Sequence, residues 1–245
     1  MRLKIENSGS DQEERNRAVI IGLRDSERFV EIQSGDKQYY GGNQAWYEWE
    51  GDQRKEAVAR KAGCGTVAAA NIAAYLAGCD PKYGGLYPYL DYSKKNYLLH
   101  MKEMYRYVKP FHIGEIPLGV WPVERMANGV KRYARSRGVK LSAVWHHGFF
   151  NRKNVIRYIA EGLGKDSPVA MLVGLGRLRK ARVTYCDGRN AMEKMSLHWV
   201  TVTELRIHER ENTARVKAST WGGWTELDLD DYLDEWIYEG LLYFQ

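Results

Sequence analysis

The chain has 245 residues, a net charge of +6 and 44% hydrophobic residues, which is ordinary for a single folded domain with its own core. Because acidic residues are spread among the basic ones and no nucleic-acid-binding motif is present, we expect no nucleic-acid partner. No run has the length of a membrane span, and the first residues lack a signal-peptide pattern. These observations predict a cytoplasmic protein without a membrane partner and leave its oligomeric state open.

The first 40 residues are predicted to be an N-terminal extension with two short strands, at 19–21 and 29–32, and residues 41–245 the main domain. Residues 39–44 form a glycine-rich loop, and residues 51–61 fit either a loop or a helix.

Residues 64–77 combine an apolar stripe at helical spacing with many alanines, which predicts a buried central helix. Three further helices are predicted at residues 93–108, 121–137 and 151–162. Asn151 is expected to cap the last of these.

The pattern then changes to short, β-branched or alternating runs, which predict strands. These runs lie at residues 169–175, 199–205, 214–219, 226–229 and 241–245. A last helix is predicted from Asp230 to Trp236. The predicted helices dominate the earlier part of the chain and the predicted strands follow them. Because the two kinds of element do not alternate, the sequence predicts an α+β fold.

Cys64 lies between Gly63 and Gly65, at the start of the central helix. The unpaired N–H groups and the positive dipole end of a helix stabilise a thiolate, so we expect a lowered pKa for this thiol. The flanking glycines would let a substrate backbone approach closely. A small structural cysteine at a helix end explains the motif equally well.

His198 lies 134 residues after Cys64, directly before a strand-like run. Papain-type proteases have their histidine about 130–150 residues after the cysteine. An imidazole at this spacing would take the thiol proton and complete a nucleophile–base pair. A lone histidine would more simply be a structural residue at a sheet edge, but the pairing with Cys64 favours the chemical role.

Other reactive side chains do not form a site of their own. Cys79 and Cys186 bring the cysteines to three, an odd number that indicates reduced thiols. His146 and His147 are adjacent, so their side chains point apart, and no further ligand stands at metal spacing. We therefore predict no metal and no cofactor.

Three sequence blocks carry a resemblance to a known family. Residues 63–76 (GCGTVAAANIAAYL) are similar to the nucleophile helix of papain-like cysteine peptidases, and most of all to the bacterial branch that processes bacteriocin leader peptides. Residues 198–202 (HWVTV) resemble that branch's histidine strand. Residues 219–224 (STWGGW) resemble its Asn-Ser-Trp-Gly or Asp-Pro-Trp-Gly block. Together the blocks cover 25 residues, in the expected order.

The resemblance implies a papain-like catalytic domain with a helical half, a sheet half and a peptide or protein substrate between them. Ser219 takes the position of the family's Asn or Asp, which orients the imidazole. A serine hydroxyl is shorter and uncharged, so it would support the imidazole less, and Asp228 would be a substitute carboxylate. Trp221 would shield the histidine from water.

The family's oxyanion hole uses a Gln side chain a few residues before the cysteine, together with the cysteine's own N–H group. Val58 stands six residues before Cys64 here, so Gln44 and Gln53 are the candidates. Gln44 is preferred because its flexible loop would swing the side chain inward, with Trp46 packing against it.

The sequence therefore predicts a cysteine peptidase that acts through a thioester on Cys64. An amidase or transglutaminase-like enzyme would use the same residues with a different acceptor. An inactive papain-like domain that binds peptides is a further alternative, because Ser219 and the absent upstream Gln depart from the family.

Overall fold

The computed structural model of the chain describes residues 2–6, 18–113, 116–148, 151–208, 210–233 and 239–245. These residues form α-helices and an antiparallel β-sheet, in agreement with the predicted α+β class.

Six α-helices lie in the described part of the chain. They are α1 (Gln53–Ala62), α2 (Cys64–Cys79), α3 (Lys94–Tyr105), α4 (Val123–Ser136), α5 (Arg152–Gly164) and α6 (Leu229–Leu233). The predicted helices at 64–77, 93–108, 121–137 and 151–162 are confirmed to within a few residues. The segment 51–61, which fitted either loop or helix, is helical. Residues 234–236 of the predicted last helix lie outside the described residues.

Side chains cap the starts of α1 and α5, whereas α2 begins after Gly63 without a side-chain cap. The side chain of Asn151 accepts a hydrogen bond from the N–H group of Asn154, which confirms the predicted cap of α5. The side chain of Asp52 caps α1 in the same way through the N–H group of Lys55.

Fourteen strands are described. They are β1 (Arg2–Glu6), β2 (Ala18–Gly22), β3 (Glu31–Ser34), β4 (Lys37–Tyr40), β5 (Phe111–Ile113), β6 (Ile116–Gly119), β7 (Ala143–His147), β8 (Val169–Val173), β9 (Lys180–Thr184), β10 (Asn190–Lys194), β11 (His198–His208), β12 (Thr213–Thr220), β13 (Gly223–Asp228) and β14 (Gly240–Phe244). The large sheet runs β10-β9-β13-β12-β11-β8-β14-β7, and β2 and β1 join it through β11. The pairs β3–β4 and β5–β6 are separate hairpins.

Strand β11 has two different neighbours along one edge. Its first half, from His198 to Val202, pairs with β8, and its second half, from Glu204 to His208, pairs with β2. Part of the predicted N-terminal extension therefore belongs to the main sheet. The predicted strand at 29–32 instead begins at Glu31, because Val30 has a φ of +42° and interrupts the extended chain.

Helix α2 is the centre of the fold. It is buried from Cys64 through Leu76. It packs against β11 and β8 of the sheet and against α3 and α4. Its alanines allow this close approach on several sides, as the sequence predicted.

No single helix in the described residues combines the length and the apolar character needed to cross a membrane. Helices α1 and α2 meet that test only as a pair bent by 75°, and α2 is buried within the protein.

Candidate functional site

A small cavity at the N-terminal end of α2 brings together the residues that the sequence singled out. Cys64, His198, Ser219, Gln44 and Trp221 all line it. The cavity offers only about 10 Å³ to the centre of a water molecule, about enough for one. The cavity is therefore too narrow to hold a peptide in this structure.

Cys64 is the first residue of α2 and is 6% exposed. Burial is the largest influence on its thiol and raises the pKa, because a thiolate loses hydration there. Hydrogen bonds from the backbone N–H groups of Trp199, Gly65 and Cys64 lower the pKa by less. The lowered pKa expected from the helix position is therefore wrong, because burial of the thiol outweighs the backbone N–H groups.

The glycines on either side of Cys64 serve the packing of the protein itself. A Cβ atom on Gly65 would lie 2.7 Å from Cβ of Val120 and 2.9 Å from Cδ1 of Trp199. A Cβ atom on Gly63 would lie 2.3 Å from the carbonyl oxygen of Ala59. These glycines let α1, α2 and β11 approach each other, so the expected role in admitting a substrate backbone is not needed to explain them.

His198 is the first residue of β11 and is 6% exposed. Its Nε2 atom shares a hydrogen bond of 2.7 Å with the hydroxyl of Thr220. One face of its ring stacks on Trp221, with ring centroids 3.9 Å apart and an interplanar angle of 12°. Burial lowers the pKa of His198 to about 3, so the imidazole is neutral at pH 7.

A tight turn between β12 and β13 holds Trp221 over the imidazole. Trp221 and Gly222 both have positive φ, of 47° and 77°, as the two central residues of a type I′ turn require. This conformation is strained for a tryptophan, at a cost of about 1–3 kcal/mol. Hydrogen bonds fix the turn, because Gly222 donates to the Gly42 carbonyl (3.0 Å) and Asn43 donates to the Trp221 carbonyl (2.7 Å).

Ser219 does not orient the imidazole as expected. Its hydroxyl donates to the carbonyl of Tyr40 (2.7 Å) and accepts a long hydrogen bond from Nδ2 of Asn71 (3.4 Å). Neighbouring residues on a strand point to opposite faces, so the next residue, Thr220, meets His198 instead. The hydroxyl that contacts the imidazole therefore belongs to Thr220, one position after the residue that the family's pattern implies.

Asn71 organises the floor of the site, a role the sequence analysis did not assign. Its Oδ1 atom accepts hydrogen bonds from the hydroxyl of Tyr97 (2.6 Å) and from the N–H group of Gly42 (2.9 Å). Together with the bond to Ser219, these contacts connect α2, α3, β12 and the glycine-rich loop. The one signal in the sequence was a polar side chain within the alanine-rich stretch of the helix.

Gln44 lines the cavity from a 3-10 helix, Gln44–Trp46. Its Nε2 atom donates to the carbonyl of Arg60 (2.8 Å) and, less favourably, to that of Lys61 (3.4 Å). Both bonds are to the last turn of α1, so the amide is not directed at Cys64 in this structure.

The other residues considered from the sequence lie elsewhere. Gln53 begins α1, and Asp228 accepts from the N–H group of Asp230 and pairs with Arg215, so neither lines the cavity. No cluster of three or more His, Cys, Asp or Glu side chains fit to bind a metal ion occurs among the described residues.

Comparison with models of known protein families and with curated proteins gives no match for this chain. Its function is therefore inferred from the residues that line the cavity.

Proposed function

We propose that the chain is a papain-like cysteine hydrolase, and that it cleaves peptide bonds with Cys64 as nucleophile and His198 as base. The observation that carries this proposal is that these two residues, 134 positions apart, line the same cavity. The packing of the Cys64 helix against an antiparallel sheet that bears His198 supports the papain-like arrangement.

The two groups start as a neutral thiol and a neutral imidazole, as their burial dictates. Nε2 of His198 is held by the Thr220 hydroxyl, so Nδ1 is the ring nitrogen assigned to the thiol proton. When the Nε2–H group donates to the Thr220 hydroxyl, Nδ1 keeps its lone pair and can accept the thiol proton. Thr220 thereby selects the tautomer that makes His198 a base.

The reaction then follows thiol acyl transfer. The sulfur of Cys64 attacks the carbonyl carbon while its proton passes to His198, and a carbon–sulfur bond forms. The imidazolium returns this proton to the leaving amine as the peptide bond breaks. Water then attacks the thioester, gives one proton to His198 and releases the acid, and His198 returns that proton to the Cys64 sulfur.

Oxyanion stabilisation is assigned to the N–H group of Cys64 and to Gln44. Both contacts of the Gln44 amide, at 2.8 Å to the Arg60 carbonyl and 3.4 Å to the Lys61 carbonyl, come from the same Nε2 atom. The two hydrogens of a planar amide move together, so the side chain has to rotate away from both carbonyls before it donates to the developing oxyanion.

A second candidate function is peptide binding by an inactive papain-like domain. The narrow cavity leaves no room for a scissile bond beside Cys64, and the neutral thiol–imidazole pair presents no ionised sulfur, so both observations favour it. An amidase or transglutaminase-like enzyme would use the same pair, and substrate profiling separates it from a peptidase.

Alkylation by iodoacetamide at pH 6.5 tests the enzyme against the binding domain. We expect Cys64 to react at least about tenfold faster than the exposed Cys186 and the half-buried Cys79, because His198 assists loss of its proton. The His198→Ala variant should lose this advantage. Peptide mapping of the three thiols gives the rates. If Cys64 reacts slowest in both proteins, as its burial alone predicts, the enzyme proposal fails.

The assignment of Thr220 gives a separate prediction. Thr220→Val keeps the side-chain shape and removes the hydrogen bond to His198, so we expect kcat/KM to fall about tenfold, with a changed pH profile. Thr220→Asn, which restores an acceptor, should recover part of the loss.

Ser219→Ala is the matched control. It should lower the free energy of unfolding by about 1–2 kcal/mol, because the Tyr40 carbonyl loses its donor, and leave the pH profile unchanged. A pH profile altered by Ser219→Ala but not by Thr220→Val would return the orienting role to Ser219.

A further inference from the structure

Thr201 places an unpaired hydroxyl in the cavity of Cys64 and His198. It lies on β11 and is fully buried. Among the described residues its Oγ1 atom has no hydrogen-bond partner, and Thr201 lines the cavity. A buried hydroxyl without a partner destabilises a fold, so this group calls for a ligand.

Polar groups beside Thr201 are suited to share that ligand. Ser219 is its partner residue across β11 and β12. Asn71, which bonds Ser219, has a second Nδ2 hydrogen beyond the one used in that bond, and it also lines the cavity. A buried water takes two to four such partners, and the cavity has room for the centre of about one water.

We propose that Thr201 and Asn71 bind one water molecule at the floor of the cavity, and that this water eases the ionisation of Cys64. The catalytic relevance of the effect on Cys64 rests on the proposed function. On the face of α2 between Cys64 and Asn71, the cavity is lined only by Val67 and Ala68, which cannot solvate a thiolate. A water there supplies a dipole to a sulfur that burial otherwise keeps neutral.

Besides burial and the N–H groups of Trp199, Gly65 and Cys64, few groups act on the thiol of Cys64. His198 lines the same cavity, and the phenol of Tyr47 interacts with the thiol from the segment after the 3-10 helix. No other titratable side chain of the described residues lines the cavity. A change in the thiol's ionisation on removing the Thr201 hydroxyl is thus assigned to the water.

The test compares Thr201→Val, which keeps the shape, with Thr201→Ser, which keeps the hydroxyl. The control is Thr225→Val on β13, where the hydroxyl donates to the Arg182 carbonyl at 2.8 Å. Urea unfolding gives the stability of each variant. The pH dependence of iodoacetamide modification gives the ionisation midpoint of Cys64.

We expect Thr201→Val to lower the urea midpoint, as Thr225→Val does, and to raise the ionisation midpoint of Cys64 by about half a pH unit, which is roughly threefold slower alkylation below the midpoint. Thr201→Ser should match the wild type in both. A higher urea midpoint for Thr201→Val would overturn the water site, because removal of a truly unpaired hydroxyl stabilises a protein. A lower urea midpoint with unchanged ionisation would overturn the effect on Cys64. If the wild-type protein has no peptidase activity, the proposed function fails, and the water site is still decided by the urea midpoints.

Discussion

Replacing Cys64 by alanine is expected to abolish hydrolysis of any peptide that the protein cleaves, with a loss of at least about 10³-fold in kcat. The thioester cannot form without the sulfur, and no other described cysteine lines the cavity. His198→Ala should cost about 10²–10⁴-fold, since the thiol then loses its proton without a positioned base. Cleavage of a peptide library, followed by mass spectrometry, supplies the substrate for these measurements.

Cys186→Ala is the control for this experiment. Cys186 lies in the turn between β9 and β10 and is exposed, so its loss should change kcat by less than about twofold. Full activity in Cys64→Ala would place the chemistry elsewhere in the chain. If Cys64→Ala loses activity and His198→Ala keeps it, Cys64 remains the nucleophile and the assignment of His198 as base is wrong.

Acid is expected to destabilise the fold through a second buried histidine, His100. This residue lies on α3, is fully buried, and contacts the carbonyl of Ala70 through Nε2 at 3.0 Å. The rings of Tyr87, Tyr97 and Tyr133 surround it. Burial is the main cause that lowers its pKa to about 4, and the positive charge of Arg137 adds to the effect.

The sign of the effect follows from proton binding. Between pH 6.5 and 4 the unfolded chain protonates His100 and the folded chain does not, so stability falls as the pH falls through this window. His100 alone should account for about 3 kcal/mol at pH 4 and below. His198, with a pKa lowered to about 3, acts in the same direction.

Urea unfolding of the wild type and of His100→Gln at several pH values measures this share. The glutamine amide can still donate toward Ala70 but does not titrate, so the variant's stability should fall less between pH 6.5 and 4. Equal slopes for the two proteins would show that His100 is not kept neutral by the fold.

The sequence predicted the helices better than the strands, for a physical reason. Helix α2 has an uninterrupted apolar and alanine-rich pattern, and α5 has a strong cap in Asn151. The hairpin of β5 and β6 is only three to four residues per strand and contains Pro117, so it carries little period-two signal. The start of β3 depended on the backbone of Val30, which its apolar side chain does not reveal.

The candidate site was predictable in its outline and not in its contacts. Motif and spacing identified Cys64 and His198, which line the same cavity. The choice between Ser219 and Thr220 depends on which face of β12 each side chain occupies, and that is fixed by the pairing with β11 and the turn at Trp221. The raised pKa of Cys64 likewise depends on how completely the surrounding elements bury it.

The divided pairing of β11 has a consequence for solubility. Strand β2 covers the backbone of β11 from Glu204 to His208, where β8 has already ended. Deleting the segment that contains β2 would leave a row of unpaired amides and carbonyls open to the strands of other molecules. Shortened versions of the chain that begin after Gly22 should therefore self-associate, even though the cavity at Cys64 lies at the opposite end of that strand.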